Sequence, residues 1–289
     1  MIDIEKAISF LACPHDGGNL ELYNEELSCS ICSSKFRILD GNTVNLTPKN
    51  KKMISSQTSQ HYMNDYMNKT ETTSENISDQ RVQAFELDSR LQGYLLENQK
   101  EILRVMDNDV ICDIGAGVGD HSIEFSKKSS LVFHCDLDIQ IIGIAKKKAK
   151  QLGLNNIMFV RSDYLSLPFK KNSLPQVVCT GVMGRWGNIH DSLLVEQIAK
   201  ILKKDGKAVM DFMAKERKRV PEDEFKENRL SKKEIKLLLQ KFNLETSNFK
   251  GIGYLPSSIK VSRFMYKIGN NFSKIVLDPS RWLITAKLS

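Results

Sequence analysis

In this 289-residue sequence, the residues best placed to do chemistry are a run of glycines and two aspartates that follow it. Val110–Ile114 is a short apolar run carrying one acid, and it leads straight into Gly115-Ala116-Gly117-Val118-Gly119. Glycine lets a backbone approach a ligand with no Cβ in the way. A helical pattern begins at Asp120, and a helix N-terminus adds free N–H groups and a field that favours negative charge. Asp136 closes the next apolar run, where a carboxylate can accept both hydroxyls of a ribose, either of a nicotinamide dinucleotide or of an S-adenosyl donor. Asp163 closes the third run and is followed by Tyr164 and Leu167-Pro168-Phe169. A carboxylate there can accept from an adenine amino group flanked by apolar side chains. Asp120 stands where a dinucleotide site has its third glycine, which disfavours the nicotinamide reading.

A second constellation lies near the N-terminus. Cys13-Pro-His15-Asp16 and Cys29-Ser-Ile-Cys32 form two Cys-x-x-ligand turns, the layout of a zinc ribbon. Cys13, Asp16, Cys29 and Cys32 are the expected metal ligands. Asp16 stands where a fourth cysteine is usual, and His15 is an adjacent substitute. The alternative is a ribbon without metal, held by Leu20, Leu22, Leu27, Phe36 and Ile38. Cys112, Cys135 and Cys179 fall inside strand-like runs and are expected to be small buried apolar groups.

The elements that must position these residues follow from the hydrophobic pattern. Residues 1–48 form the ribbon-like segment, 49–92 have the polar composition of a linker or lid, and 93–289 alternate short apolar runs with helical patterns, the signature of parallel βαβ units. The pattern predicts helices over 95–106, 120–128, 139–152, 189–202 and 231–242, with Ser231 as a cap. It predicts strands over 110–114, 131–136, 157–161, 176–180, 207–212, 244–249 and 282–287, with an insertion at about 251–280. Apolar content of 41% is enough for a full core. The longest apolar runs fall far short of the roughly 20 residues that cross a bilayer, and no basic-then-apolar leader is visible, so a cytoplasmic protein is expected. The net charge of +7 admits an anionic partner.

Residues 109–212 resemble the class I S-adenosylmethionine-dependent methyltransferases, in particular the ubiquinone/menaquinone-biosynthesis-like group. The resemblance rests on DIGAGVG at 113–119, CDLD at 135–138, SDYLSLPF at 162–169, NSLPQVV at 172–178 and KKDGK at 203–207. It implies an α/β, Rossmann-like fold: a seven-stranded sheet whose last strand is antiparallel. It implies that Gly115 and Gly117 pass under the methionine part of S-adenosylmethionine, with Asp113 near the ammonium. Asp136 would hold the ribose, and Asp163 and Tyr164 would frame the adenine. Ala116, Leu137, Ser162 and Thr180 complete the implied donor site. The sequence departs from the group at Leu174-Pro175, where Phe-Asp is usual, and at Gly184-Arg185-Trp186, where a histidine pair is frequent. Residues 11–48 resemble the small zinc-ribbon activator of tRNA and protein methyltransferases. They also resemble the zinc segment of bacterial rRNA guanine-N1 methyltransferases, through GNTVNLTP at 41–48 among other residues.

Four stretches are expected on the acceptor side: 180–188, 213–229, the insertion at 251–280 and residues 57–67, whose Tyr62 and Tyr66 resemble tyrosines that close over the donor. His61, His121 and His190 are candidate bases, and none is assigned that role. Lys215, Arg217, Lys218 and Arg219, and Lys260, Arg263, Lys267 and Lys274, could rim the active face. The expected function is methyl transfer to a small-molecule acceptor. An RNA base acceptor and a non-catalytic donor-binding scaffold are the alternatives, the latter opposed by the intact Gly115, Gly117, Asp136 and Asp163.

Overall fold

The computed structural model describes residues 2–48, 99–107, 109–184, 187–216, 226–254 and 278–289. The segment 49–92 with His61, Tyr62 and Tyr66 lies outside the described residues, as do Arg185, Trp186, Arg217, Lys218, Arg219 and most of the insertion with Lys260, Arg263, Lys267 and Lys274.

Among the described residues, eleven strands form one sheet. The N-terminal four are β1 (Leu20–Tyr23), β2 (Glu26–Cys29), β3 (Lys35–Leu39) and β4 (Thr43–Asn45). The others are β5 (Val110–Ile114), β6 (Leu131–Asp136), β7 (Ile157–Arg161), β8 (Leu174–Cys179), β9 (Leu202–Met213), β10 (Leu244–Ile252) and β11 (Arg281–Leu288). Their order is β1-β2-β3-β4-β7-β6-β5-β8-β9-β11-β10. Strands β7-β6-β5-β8-β9 are parallel, and β11 runs antiparallel between β9 and β10. The expectation of a seven-stranded sheet is therefore corrected. Strands β5 to β11 are the seven expected, and the N-terminal segment adds four more by pairing β4 parallel to β7, Thr43 opposite Phe159 and Asn45 opposite Arg161. A strand edge left bare at β7 would expose its peptide groups, and β4 satisfies them.

Helices α1 (Ile4–Phe10), α2 (Asp120–Ser126), α3 (Ile139–Gln151), α4 (Asn188–Ile201) and α5 (Lys232–Lys241) accompany the sheet, and residues 99–105 are helical. Of the predicted helix over 95–106, residues 95–98 lie outside the described residues and Met106 falls beyond the last turn. The parallel strands are buried on both faces, which their nearly unbroken apolar character requires. Cys112, Ile114, Phe133 and Cys135 pack into one core, and Ile111, Val132 and Phe159 into the other. Helix α1 belongs to the first: Phe10 meets Phe133 edge-on at 5.8 Å. Ser231 caps α5 in a reciprocal box with Glu234. Strand β9 begins five residues earlier than predicted, because Leu202 already pairs with Leu174 before the register shifts and Gln176 meets Lys207.

Strand order reverses on either side of β5, between β6 and β8. In sheets of this kind the crevice beyond the carboxyl ends at that reversal receives ligands, and it lies where the glycine run and residues 180–184 leave the sheet.

Candidate active site

Of the residues singled out in the sequence, Gly115, Ala116, Gly117, Asp136, Leu137, Ser162, Asp163, Tyr164 and Thr180 stand at or just after the carboxyl ends of the strands that border that crevice, and Asp113 lies inside β5. Gly115, Gly117 and Gly119 have φ values of +65°, +56° and +85°, a region that side chains with a Cβ adopt at a cost of about 1–2 kcal/mol. They bend the chain from β5 into α2. A Cβ on Gly117 would meet nothing within 4 Å, so its backbone faces open space. At Gly115 a Cβ would lie 2.5 Å from Cγ2 of Val182, and at Gly119 it would lie 2.8 Å from the Cβ of Ala145.

Asp136, at the tip of β6, accepts from the Gly117 amide at 2.9 Å and from the Asp138 amide at 3.0 Å. Burial raises its carboxyl above the ordinary value, while those amides pull it down. Each oxygen keeps a further lone pair for a ligand donor. Leu137 follows, its carbonyl accepting from Arg161 Nε at 3.0 Å. One strand further, Asp163 is buried, and its Oδ1 accepts from the Leu165 amide at 2.9 Å. The Ser162 hydroxyl beside it is buried with no hydrogen-bond partner among the described residues. An orphaned hydroxyl next to an acid at a strand tip suits a nucleoside that supplies the missing partner. Ala116, Tyr164 and Thr180 are partly exposed at the same end of the sheet.

Asp113 is placed differently from the residues around it. It is fully buried and accepts from Ser122 Oγ at 2.7 Å, and Ser122 also meets His134 Nδ1 at 3.0 Å. Burial raises the Asp113 carboxyl and drives the His134 imidazole down to about 3. His134 is therefore neutral, and with Ser122 donating to Asp113 its Nδ1–H must donate to Ser122. The acid is thus fixed from behind the glycine turn. Among the candidate bases, His121 is buried and stacked at 6.3 Å on Phe125, and His190 sits in the first turn of α4.

Sequence reasoning missed Ser122, His134, Asp191, Asp211 and Arg281. A usable signal existed for Asp211, a lone acid in the apolar run VMDFM, since a charge inside a buried strand must find a partner. Arg281 supplies it: Nε lies 2.8 Å from Oδ2 and Nη2 3.0 Å from Oδ1.

In the N-terminal segment, the sulfurs of Cys13, Cys29 and Cys32 and a carboxylate oxygen of Asp16 lie within 4.8 Å of one another. The sulfurs of Cys13 and Cys32 are 3.7 Å apart, and Asp16 Oδ1 is 3.3 Å from the Cys29 sulfur. The Gly18 amide holds Asp16 at 2.8 Å and is the main cause that lowers its carboxyl to about 2, whereas burial pushes the Cys13 thiol up to about 12. His15 is turned to Ser34, Nδ1 to Oγ 2.9 Å, so the adjacent substitute is not among the clustered ligands.

The strand order and the crevice are those of a Rossmann-like α/β fold, and residues 111–206 match the family model described as "Methyltransferase domain". The chain is 31% identical over 108 residues to the ubiquinone/menaquinone biosynthesis C-methyltransferase of Blochmanniella pennsylvanica, a match covering 36% of this chain and 42% of that one. It is 31% identical over 88 residues to a protein described as a ribosomal RNA small subunit methyltransferase A of Methanosphaera stadtmanae, covering 29% of this chain and 32% of that one. The chain thus spans well under half the length of these relatives. In fold it is similar to a SAM-dependent methyltransferase from Aquifex aeolicus, with a TM-score of 0.52 at 16% identity over 73% of this chain and 98% of that one. Among the described residues no helix is long and apolar enough to cross a membrane.

Proposed function

We propose that this chain transfers the methyl group of S-adenosylmethionine to a small-molecule acceptor. The observation that carries the proposal is the hydrogen-bonded unit of Gly117 and Asp136, set beside the orphaned Ser162 hydroxyl and the buried Asp163 carboxylate. A backbone open to a ligand, a carboxylate for a diol and a polar strand tip for a purine succeed one another along adjacent strand ends. S-adenosylmethionine, when bound, supplies an electrophilic methyl on a sulfonium centre. Gly115 and Gly117 would run beneath its amino-acid tail, Asp136 would hold the ribose hydroxyls, and Asp163 with Ser162 would engage the adenine. Asp113, with Ala116, Leu137, Tyr164 and Thr180, would complete the pocket. Methyl transfer is an in-line displacement, so alignment and exclusion of water supply much of the acceleration, of order 7–11 kcal/mol in favourable cases. No side chain is assigned as a base. The small-molecule reading follows the quinone-biosynthesis relative, and the ribosomal RNA relative makes RNA the competing acceptor.

Calorimetry with S-adenosylmethionine and S-adenosylhomocysteine tests the donor reading. Saturable binding of both is expected, and no binding at millimolar concentration overturns it. A gel shift with RNA across a salt series separates the acceptor classes, since phosphate contacts give a steep salt slope.

We also infer that Cys13, Asp16, Cys29 and Cys32 hold one zinc ion with a structural role. The donor set of three thiols and one carboxylate closes a four-coordinate site with no open position. Metal analysis of the purified protein should return about one zinc per chain, and Asp16→Ala should lower that content.

A further inference from the structure

The loop that leaves β8 is held from three directions by buried polar side chains. Asp211 of β9 accepts from the Gly181 amide at 2.8 Å. Arg281, the first residue of β11, donates from Nη2 to the Met183 carbonyl at 3.0 Å while its Nε and Nη2 grip Asp211. Asp191 in the first turn of α4 accepts from the Gly184 amide, 2.9 Å to Oδ2 and 3.1 Å to Oδ1. Asp211 is fully buried, Asp191 is 2% exposed and Arg281 7%. Gly181 and Gly184 adopt φ values of +75° and +81°, so the loop follows a path few sequences allow. Between these anchors sits Val182. Its Cγ2 occupies the space a Cβ of Gly115 would need, so Val182 is packed onto the glycine turn itself.

A buried ion pair is a poor device for stability alone, because an apolar pair of similar volume often serves as well. Both partners here spend further hydrogen bonds on one loop's backbone. We propose that Asp211 and Arg281 are positioning residues of the methyl-transfer site, a clamp that fixes residues 181–184 and so presses Val182 against Gly115 to form the wall beside the donor's amino-acid tail. The proposal rests on the donor reading above, which places that tail over Gly115 and Gly117. It also explains the cradle at Gly115: the glycine is required from one side by the turn and from the other by Val182.

The test compares two ligands on the full chain by calorimetry: S-adenosylhomocysteine, which has the amino-acid tail, and 5′-methylthioadenosine, which lacks it. The double substitution Asp211→Leu with Arg281→Met replaces the pair by apolar volume and removes both backbone contacts. It should weaken S-adenosylhomocysteine at least tenfold while changing 5′-methylthioadenosine less than threefold. General damage to the fold would move both ligands together, and that result overturns the clamp, as does unchanged binding of both. Should the double variant fail to fold, Arg281→Lys and Val182→Ala are read by the same ratio. Arg281→Lys keeps the charge but not the fork, and Val182→Ala trims the wall with the clamp intact. A selective loss of the tailed ligand is expected for each, and an unchanged ratio in both overturns the proposal. If wild type binds neither ligand, the donor reading fails and the clamp with it. If wild type binds both and the ratio never moves, only the clamp fails.

Discussion

The amide of Gly117 donates to the carboxylate of Asp136 across 2.9 Å, tying the bend after β5 to the tip of β6. The turn that would cradle the donor's tail and the acid that would hold its sugar are therefore one unit, and a change in either acts on both.

Asp136→Asn should weaken S-adenosylhomocysteine by roughly 10–100-fold, the range expected when hydrogen bonds to a charged acceptor worth about 1.5–3 kcal/mol are lost. Asp136→Ala should weaken it further and lower the melting temperature, since the amides of Gly117 and Asp138 lose their acceptor. Calorimetry and thermal melts read the two effects. Wild-type affinity in Asp136→Asn would remove this acid from the site.

Gly117 and Gly119 should separate by mechanism. Gly117→Ala meets open space and should cost only the strain of its positive φ, about 1–2 kcal/mol, while abolishing donor binding. Gly119→Ala adds a 2.8 Å clash with Ala145 to the same strain and should destabilise by several kcal/mol. Urea unfolding gives the order; equal losses would contradict the packing.

Burial raises the Asp191 carboxyl from its ordinary 3.8 to about 7, with the Gly184 amide and Arg281 opposing. Between these values the folded chain holds a proton that the unfolded chain has released. The stability from this group is therefore fully present below about pH 4 and lost as pH rises through about 7. The stability of wild type relative to Asp191→Asn should fall by an amount on the order of 2 kcal/mol between pH 5 and pH 8. Parallel urea titrations across that range check the sign, and a difference that grows with pH would refute it.

If zinc closes the ribbon, its removal should be felt beyond it, because β4 supplies the strand partner of β7 and Phe10 packs on Phe133. A chelator should lower the melting temperature of the whole chain by several degrees, and added zinc should restore it. An unchanged melt would mean that Leu27, Phe36 and Ile38 hold the ribbon unaided.

The sequence by itself determined whatever is local in physical origin. Glycines straight after an apolar strand require a bend, acids that end apolar runs must lie at strand tips, and each Cys-x-x-ligand turn brings its own two ligands together, while the meeting of the two turns belongs to the folded structure. Val110–Ile114, Leu131–Asp136 and Ile157–Arg161 accordingly fall where the pattern put them. Only the tertiary structure decided which distant groups neutralise buried charge and cover bare edges. Asp211 and Arg281 are 70 positions apart and meet because β11 runs antiparallel to β9, a register no local pattern encodes. The pairing of β4 with β7, which turned a seven-stranded expectation into an eleven-stranded sheet, has the same origin. An exposed strand edge or an unpaired buried charge is costly anywhere, and the partner that relieves it is chosen in space.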